Sequence, residues 1–178
     1  MLFVDAAHFV YGPFLGFLWC LVRLFVPGPS GRKRYNVLAA LNAISHEVIG
    51  VANHSYINAE SVCCLLHQIA AADLPRPITL VLDNARYQRC ELVQALARSL
   101  RIELLFLPSY SPNLNLIERL WKFVKKECLA CRPLPDYETF THTIDDCLNS
   151  LRTKYEQRMT TLLTLDFQTY EDEPVLAA

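Results

Sequence analysis

Ile78-Thr79-Leu80-Val81-Leu82 runs without a charge and stops abruptly at Asp83-Asn84. The run is continuous, apolar and rich in β-branched residues, and it lacks the polar–apolar alternation of a strand with one wet face. It reads as a strand buried on both sides, which occurs almost only in sheets whose two faces are covered by helices. A chain of 178 residues, 52% of them apolar, has the length and composition to build one such domain with a sizeable core.

Other elements fall into place around that strand. Leu2-Phe3-Val4 followed by Asp5 reads as a short buried strand ending near a carboxylate. Residues 11 to 34 carry Gly12, Pro13, Pro27, Gly28, Pro29 and Gly31 and read as an irregular excursion that closes on the basic turn Gly31-Arg32-Lys33-Arg34. Tyr35 to Ile44 and Glu47 to Ala52 are apolar runs, with Ser45-His46 as a hairpin link. Asn58 can cap a helix running to Ala72 whose face is Val62, Leu65, Leu66 and Ile69. Cys90 to Leu100 has helical periodicity, Ile102 to Leu107 is a strand stopped by Pro108, and Ser109 to Asn115 is a polar loop. An amphipathic helix follows from about Leu116 to Leu129, and a last helix from about Tyr137 to Leu151. Early hairpin-linked strands followed by strand–helix alternation predict a mixed α/β sheet with helices on both faces.

Charge and cysteine content narrow the function classes. The formal net charge is −1, but Asp166, Glu171, Asp172 and Glu173 lie in the last thirteen residues, which hold no Lys or Arg; without that tail 17 bases face 14 acids, a net of +3. That balance permits a local nucleic-acid patch without making the whole chain a polyanion binder. Seven Cys and no secretory signal point to reduced thiols in the cytoplasm. Cys128 and Cys131 form a CxxC with no second ligand pair at zinc spacing, so they read as buried small residues. Phe9 to Val26 is apolar, yet Gly12, Pro13 and Arg23 interrupt it and its longest uncharged part falls short of the ~20 residues of a spanning helix. It reads as buried or interface-packed loop and strand, not as a membrane segment.

Three acids stand out by placement. Asp5 and Asp83 each follow an apolar strand, where a carboxylate is costly unless it lies at an open strand end or binds a cation. If the first and fourth strands are adjacent and parallel, both acids emerge at the same carboxyl end, where open α/β sheets place their sites. Glu118 comes from a helix. At about 100° per residue, Ile117, Leu120, Trp121, Val124 and Cys128 form one core stripe, while Lys122 and Lys125 lie close to Glu118 and Arg119 and Lys126 just beyond. Glu118 thus sits at a seam between core and basic faces, beside lysines that can reach DNA phosphates. Asn115 is placed to cap that helix and fix its first turn. Three close carboxylates raise one another's pKa, a conflict that hard divalent cations relieve; Mg²⁺ or Mn²⁺, as two ions, fits this donor set and suits phosphodiester cleavage.

These residues match a known family. Leu2-Phe3-Val4-Asp5-Ala6-Ala7-His8-Phe9, Leu80-Val81-Leu82-Asp83-Asn84-Ala85-Arg86-Tyr87 and, most specific, Leu107-Pro108-Ser109-Tyr110-Ser111-Pro112-Asn113-Leu114-Asn115-Leu116-Ile117-Glu118-Arg119-Leu120-Trp121-Lys122 resemble the DDE-type transposases of the mariner-like superfamily, in their bacterial insertion-sequence branch. The 34 residues between Asp83 and Glu118 match its spacing. The resemblance covers residues 1 to about 150. It implies an RNase H-like fold, Asp5, Asp83 and Glu118 as catalytic metal ligands, and metal-dependent cleavage and strand transfer of DNA at transposon ends and target. Asn84 joins Asn115 as a residue supporting the triad, and Tyr87 stands where many relatives carry His. Arg32, Lys33, Arg34, Arg119, Lys122, Lys125 and Lys126 are the expected DNA contacts. Relatives act as dimers and carry an N-terminal helix-turn-helix region, which nothing here precedes the first strand to supply. The expectation is therefore a catalytic domain (1–152) with an acidic C-terminal extension (153–178), acting as a homodimer or with a separately encoded helix-turn-helix portion. Competing readings are a host nuclease or resolvase on the same fold, and a truncated, inactive DNA-binding remnant.

Overall fold

The computed structural model describes residues 1–12, 21–22, 33–108, 111–130, 132 and 134–167. Five strands form one sheet: β1 (Leu2–Tyr11), β2 (Lys33–Asn42), β3 (Val48–Asn53), β4 (Ile78–Leu82) and β5 (Ile102–Phe106), in the spatial order β3-β2-β1-β4-β5. β1 is antiparallel to β2, and β2 to β3, while β1, β4 and β5 are parallel. The expected adjacency of the first and fourth strands is therefore present. The β2–β3 turn is held by Asn42, whose side-chain oxygen accepts from the backbone N–H groups of Ile44 and Ser45.

Parity along the strands sorts side chains into two cores. Leu2, Val4, Leu38, Ala40, Leu80 and Leu82 face α1 (Ala59–Ala71) and α2 (Glu91–Ser99). Phe3, Ala7, Phe9, Val37, Leu41 and Val81 face α3 (Ile117–Val124), α4 (Tyr137–Asn149) and α5 (Glu156–Leu162). α1 begins where the sequence places it: Asn58 accepts from the Ser61 N–H at 3.0 Å, and Ser61 accepts from the Asn58 N–H, a reciprocal capping box.

Several expectations change. β1 does not stop before Asp5. It continues to Tyr11 because β2 pairs with it over its whole length, from Leu2↔Asn42 to Tyr11↔Lys33. What ends near Asp5 is the parallel pairing with β4, whose last pair is Val4↔Leu82. The excursion is correspondingly shorter. Of the stretch read as buried, Leu21 and Val22 are exposed, and residues 13–20 and 23–32 lie outside the described residues. The long amphipathic helix is α to Val124 and then widens into a π-turn over Lys125–Leu129, closed by the Ala130 N–H on the Lys125 carbonyl at 3.0 Å. Residues 153–163, expected in the C-terminal extension, include α5, which sends Met159 and Leu163 into the core. That helix also covers Phe123, which lies off the stripe predicted to face the core and meets Tyr155 edge-to-face at 5.1 Å.

Candidate functional site

Asp5 and Asp83 each stand one residue beyond the last parallel pair, Val4↔Leu82, on neighbouring strands. Strands in a sheet are spaced by ~4.8 Å, so the two carboxylates start as lateral neighbours. Phe3 and Ala7 flank Asp5 in alternation, and Val81 precedes Asp83 by two; all three belong to the core beneath α3. Both acids therefore point to the α3 side. Glu118 lies in the first turn of α3 and is half-buried.

Two side chains fix this arrangement. Trp121, one turn along from Glu118 and buried, donates its Nε1–H to Asp5 Oδ2 at 3.1 Å, while its ring meets Phe9 at 6.1 Å. A buried indole needs an acceptor for its N–H, and here the acceptor is an acid of the site. Asn115 is not the cap of α3. Leu116 holds the cap position without a side-chain bond, and Asn115 is buried with its amide donating to the Val4 carbonyl and to Asp83 Oδ1, both at 3.2 Å. Its role is a tether between β1, β4 and the start of α3. Neither contact was legible in the sequence; the signal available was a buried amide and a buried indole adjoining an acid on an otherwise apolar stripe.

The electrostatics agree with the geometry. The Asp5 carboxyl is pushed up from 3.8 to about 7, first by burial and then by the negative charges of Asp83 and Glu118, against the lowering effect of hydrogen bonds from the Ala6 backbone and Trp121. Tyr87 is half-buried, and its hydroxyl is raised by burial and by the charges of Asp5 and Asp83, which places it beside the two acids. Among the described residues no group of three or more His, Cys, Asp or Glu side chains converges tightly enough to hold a metal ion as it stands. The donor chemistry nevertheless suits a hard cation: the acids are oxygen donors with a mutual charge conflict that a divalent ion removes.

The remaining expected residues are scattered. Asn84 is exposed and its Oδ1 accepts from Arg89 at 2.7 Å. His8 has the opposite parity to Asp5 and lies 2.7 Å from Asn36 Oδ1, away from the acids. Lys122, Lys125 and Lys126 are exposed on the α3 face. Arg119 is committed elsewhere: its guanidinium donates to the carbonyls of Thr164 at 2.9 Å and Asp166 at 2.7 Å, and lies over the Phe167 ring. Lys33 and Arg34 are exposed at the far end of β2, with Lys33 over the Tyr137 ring at 5.3 Å; Arg32 lies outside the described residues. Cys128 is buried against Cys147, and Cys131 is outside the described residues. Among the described residues no helix is long and apolar enough to cross a membrane.

The DDE superfamily endonuclease family matches residues 23–141, a span that contains Asp83 and Glu118 and begins after Asp5. No curated protein matches in sequence. Among solved structures, the Mos1 strand transfer complex is similar over 96% of this chain and 55% of that one, at 15% identity and a TM-score of 0.62. The HTLV-2 integrase catalytic core domain, solved in complex with magnesium, is similar over 85% of this chain and 84% of that one, at 18% identity and a TM-score of 0.53. An intasome of simian T-cell lymphotropic virus is similar over 85% of this chain and 47% of that one, at 18% identity and a TM-score of 0.51. The chain thus spans about half the length of the transposase and intasome chains. The fold is the RNase H-like one of these transposase and integrase cores.

Proposed function

The chain belongs to the DDE superfamily endonucleases, and from that footing we propose that it is the catalytic domain of a transposase of the mariner-like, insertion-sequence type, cleaving DNA phosphodiester bonds and transferring the cut strand. The observation that carries this reading is the shared position of Asp5 and Asp83 one step past the same strand pair, beneath the helix that carries Glu118. Asp5, Asp83 and Glu118 are the residues that would hold Mg²⁺ or Mn²⁺, as two ions. When bound, such ions supply positive charge at the attacking and leaving oxygens of phosphodiester cleavage. An integrase core of similar fold solved in complex with magnesium supports the same choice of ion.

The protein's own groups orient the acids. The Trp121 N–H holds one oxygen of Asp5, and the Ala6 backbone also donates to that carboxylate. The Asn115 amide holds one oxygen of Asp83. The indole, Phe9 and half-buried Tyr87 lower the polarity around the acids, which strengthens any charge interaction made there. Lys122 and Lys125, on the same side of α3 as Glu118, are placed to hold the phosphates that flank a scissile bond. The substrates in this reading are transposon ends and target DNA, with a homodimer or a separately encoded helix-turn-helix portion supplying end recognition.

Nicking of a supercoiled plasmid with Mg²⁺ tests the assignment. Asp83→Asn is expected to abolish nicking while leaving the circular dichroism spectrum intact; a purified variant that cuts as well as the parent sinks the triad. Replacing Lys122, Lys125 and Lys126 with Ala should weaken duplex binding and flatten its salt dependence. An unchanged slope removes those lysines from the DNA interface.

A further inference from the structure

β3 closes one side of the sheet: among the described residues its only strand neighbour is β2. The two pair without interruption from Asn36↔Asn53 to Leu41↔Val48. The Asn42 N–H on the Glu47 carbonyl at 2.8 Å fixes the phase of that ladder. Bonded pairs alternate along antiparallel strands, so the bonded series that starts at Glu47 continues at Ile49, Val51 and Asn53. The N–H and C=O groups of Val48, Gly50 and Ala52 therefore point away from β2. Among the described residues no other hydrogen bond reaches them. Edge strands are normally blunted by a bulge, a proline or a charged side chain. β3 has none of these, since its residues are Val48-Ile49-Gly50-Val51-Ala52-Asn53 and its register is unbroken.

The side chains of Val48, Gly50 and Ala52 lie on the α4 side of the sheet, and Gly50 and Ala52 cover little of it. Between β3 and α4 they leave a pocket of about 300 Å³ whose apolar lining includes Val37 and Leu148 and whose polar lining is Asp145 and Asn149. One oxygen of Asp145 accepts from the Tyr35 hydroxyl at 2.6 Å. Among the described residues the carboxylate has no ion-pair partner, and Arg152 is taken by Glu47 at 3.9 Å. A carboxylate beside apolar side chains with one donor is poorly compensated for the water it has lost. A cation on an aliphatic stem supplies that compensation and covers the apolar lining as well.

We propose that the β3 edge binds an extended basic segment of a partner protein as an additional strand, with a lysine or arginine inserted beside Asp145. The backbone groups of Val48, Gly50 and Ala52 hold the segment, and its alternate side chains face α4. A second copy of β3 matches less well, because none of its residues carries a charge to meet Asp145. β3 is two strands away from β1 and its Asp5, so this surface is separate from the acids. The inference does not depend on the function proposed above.

Nuclear magnetic resonance titration of the isotope-labelled full chain tests it, with a short peptide that alternates threonine and valine around one central lysine. The amide signals of Gly50 and Ala52 are expected to shift and saturate. Glutamate in place of the peptide's lysine should weaken binding about tenfold, and Asp145→Asn, which keeps an acceptor for Tyr35, should weaken the lysine peptide about fivefold. Gly50→Val puts a side chain into the pocket, with nothing closer to its Cβ than an ordinary 3.5 Å, and should remove the preference for lysine over glutamate. Methylating the peptide nitrogens that face β3 should abolish binding to the parent. Shifts absent from β3, equal affinity of the lysine and glutamate peptides, or full binding of the methylated peptide each overturns the proposal. So do shifts at Gly50 and Ala52 that grow with protein concentration in the absence of peptide, which assign the edge to a second copy.

Discussion

The two faces of the sheet are built from the same strands and behave differently. Beneath α1 and α2, Leu2, Val4, Leu80 and Leu82 meet Val62, Leu65, Leu66 and Ile69 in an almost wholly apolar layer. On the α3 face the alternate residues of the same strands include Asp5 and Asp83, and the opposing helix brings Glu118, Trp121 and the Asn115 tether. One face closes the domain and the other holds groups that burial disfavours. A displacement of one residue in β1 would exchange the two sets, so register is what separates them.

That contrast can be broken or sharpened by experiment. The largest expected effect is on chemistry: Glu118→Gln should lower Mg²⁺-dependent nicking by on the order of 10³-fold or more, as when one member of a cooperating catalytic set is lost, with little change in melting temperature. A large drop in melting temperature with activity retained would make this face structural like the other.

Next comes pH. Asp5 has a folded value of about 7 against an ordinary 3.8, so the fold favours its neutral form. Its contribution to stability is complete below about pH 4 and is lost as pH rises through 7, amounting to on the order of 4 kcal/mol. Urea unfolding in EDTA should therefore show the parent losing stability relative to Asp5→Asn across that window. Parallel curves for the two proteins would remove Asp5 from the buried, crowded position described. On the closed face, Leu66→Ala should cost about 3 kcal/mol, within the range for a fully buried leucine, independent of pH and metal; a pH-dependent cost would couple the faces.

The smallest expected effect belongs to Trp121→Phe. It keeps an aromatic ring and removes the hydrogen bond to Asp5, at about 1–2 kcal/mol above pH 7. Because that bond lowers the Asp5 value, its removal should shift the Asp5 titration upward and carry the stability loss to higher pH. An unmoved titration midpoint would mean the indole only packs.

The succession of elements and the helix-covered faces were legible because apolar runs and breaker residues are local signals, whereas the parallel pairing of the first and fourth strands, a non-local property, entered only as a supposition that the sheet bears out. The cap at Asn58 was legible as a local signal too. The true end of β1 was not, since it is set by pairing with β2 some thirty residues away rather than by Asp5 itself. Asn115 misled for a related reason: an amide before a helix is normally a cap, and only the approach of Val4 and Asp83 gives it a better use. α5 was missed because its short span has one buried side chain, Met159, and hence little periodicity to read. Of the three acids picked out by placement, Asp5 feels the charges of both Asp83 and Glu118.

The Asn115 bond to the Val4 carbonyl has a consequence for how the protein breathes. The parallel ladder between β1 and β4 ends at Val4↔Leu82, and the amide extends it by one further hydrogen bond, drawn from the residue that leads into α3. The start of that helix is thereby tied to the sheet, and its first turn is expected to open together with the sheet. Amide exchange at Leu120 and Trp121 should then be as slow as at Phe3 and Val81, in one cooperative block.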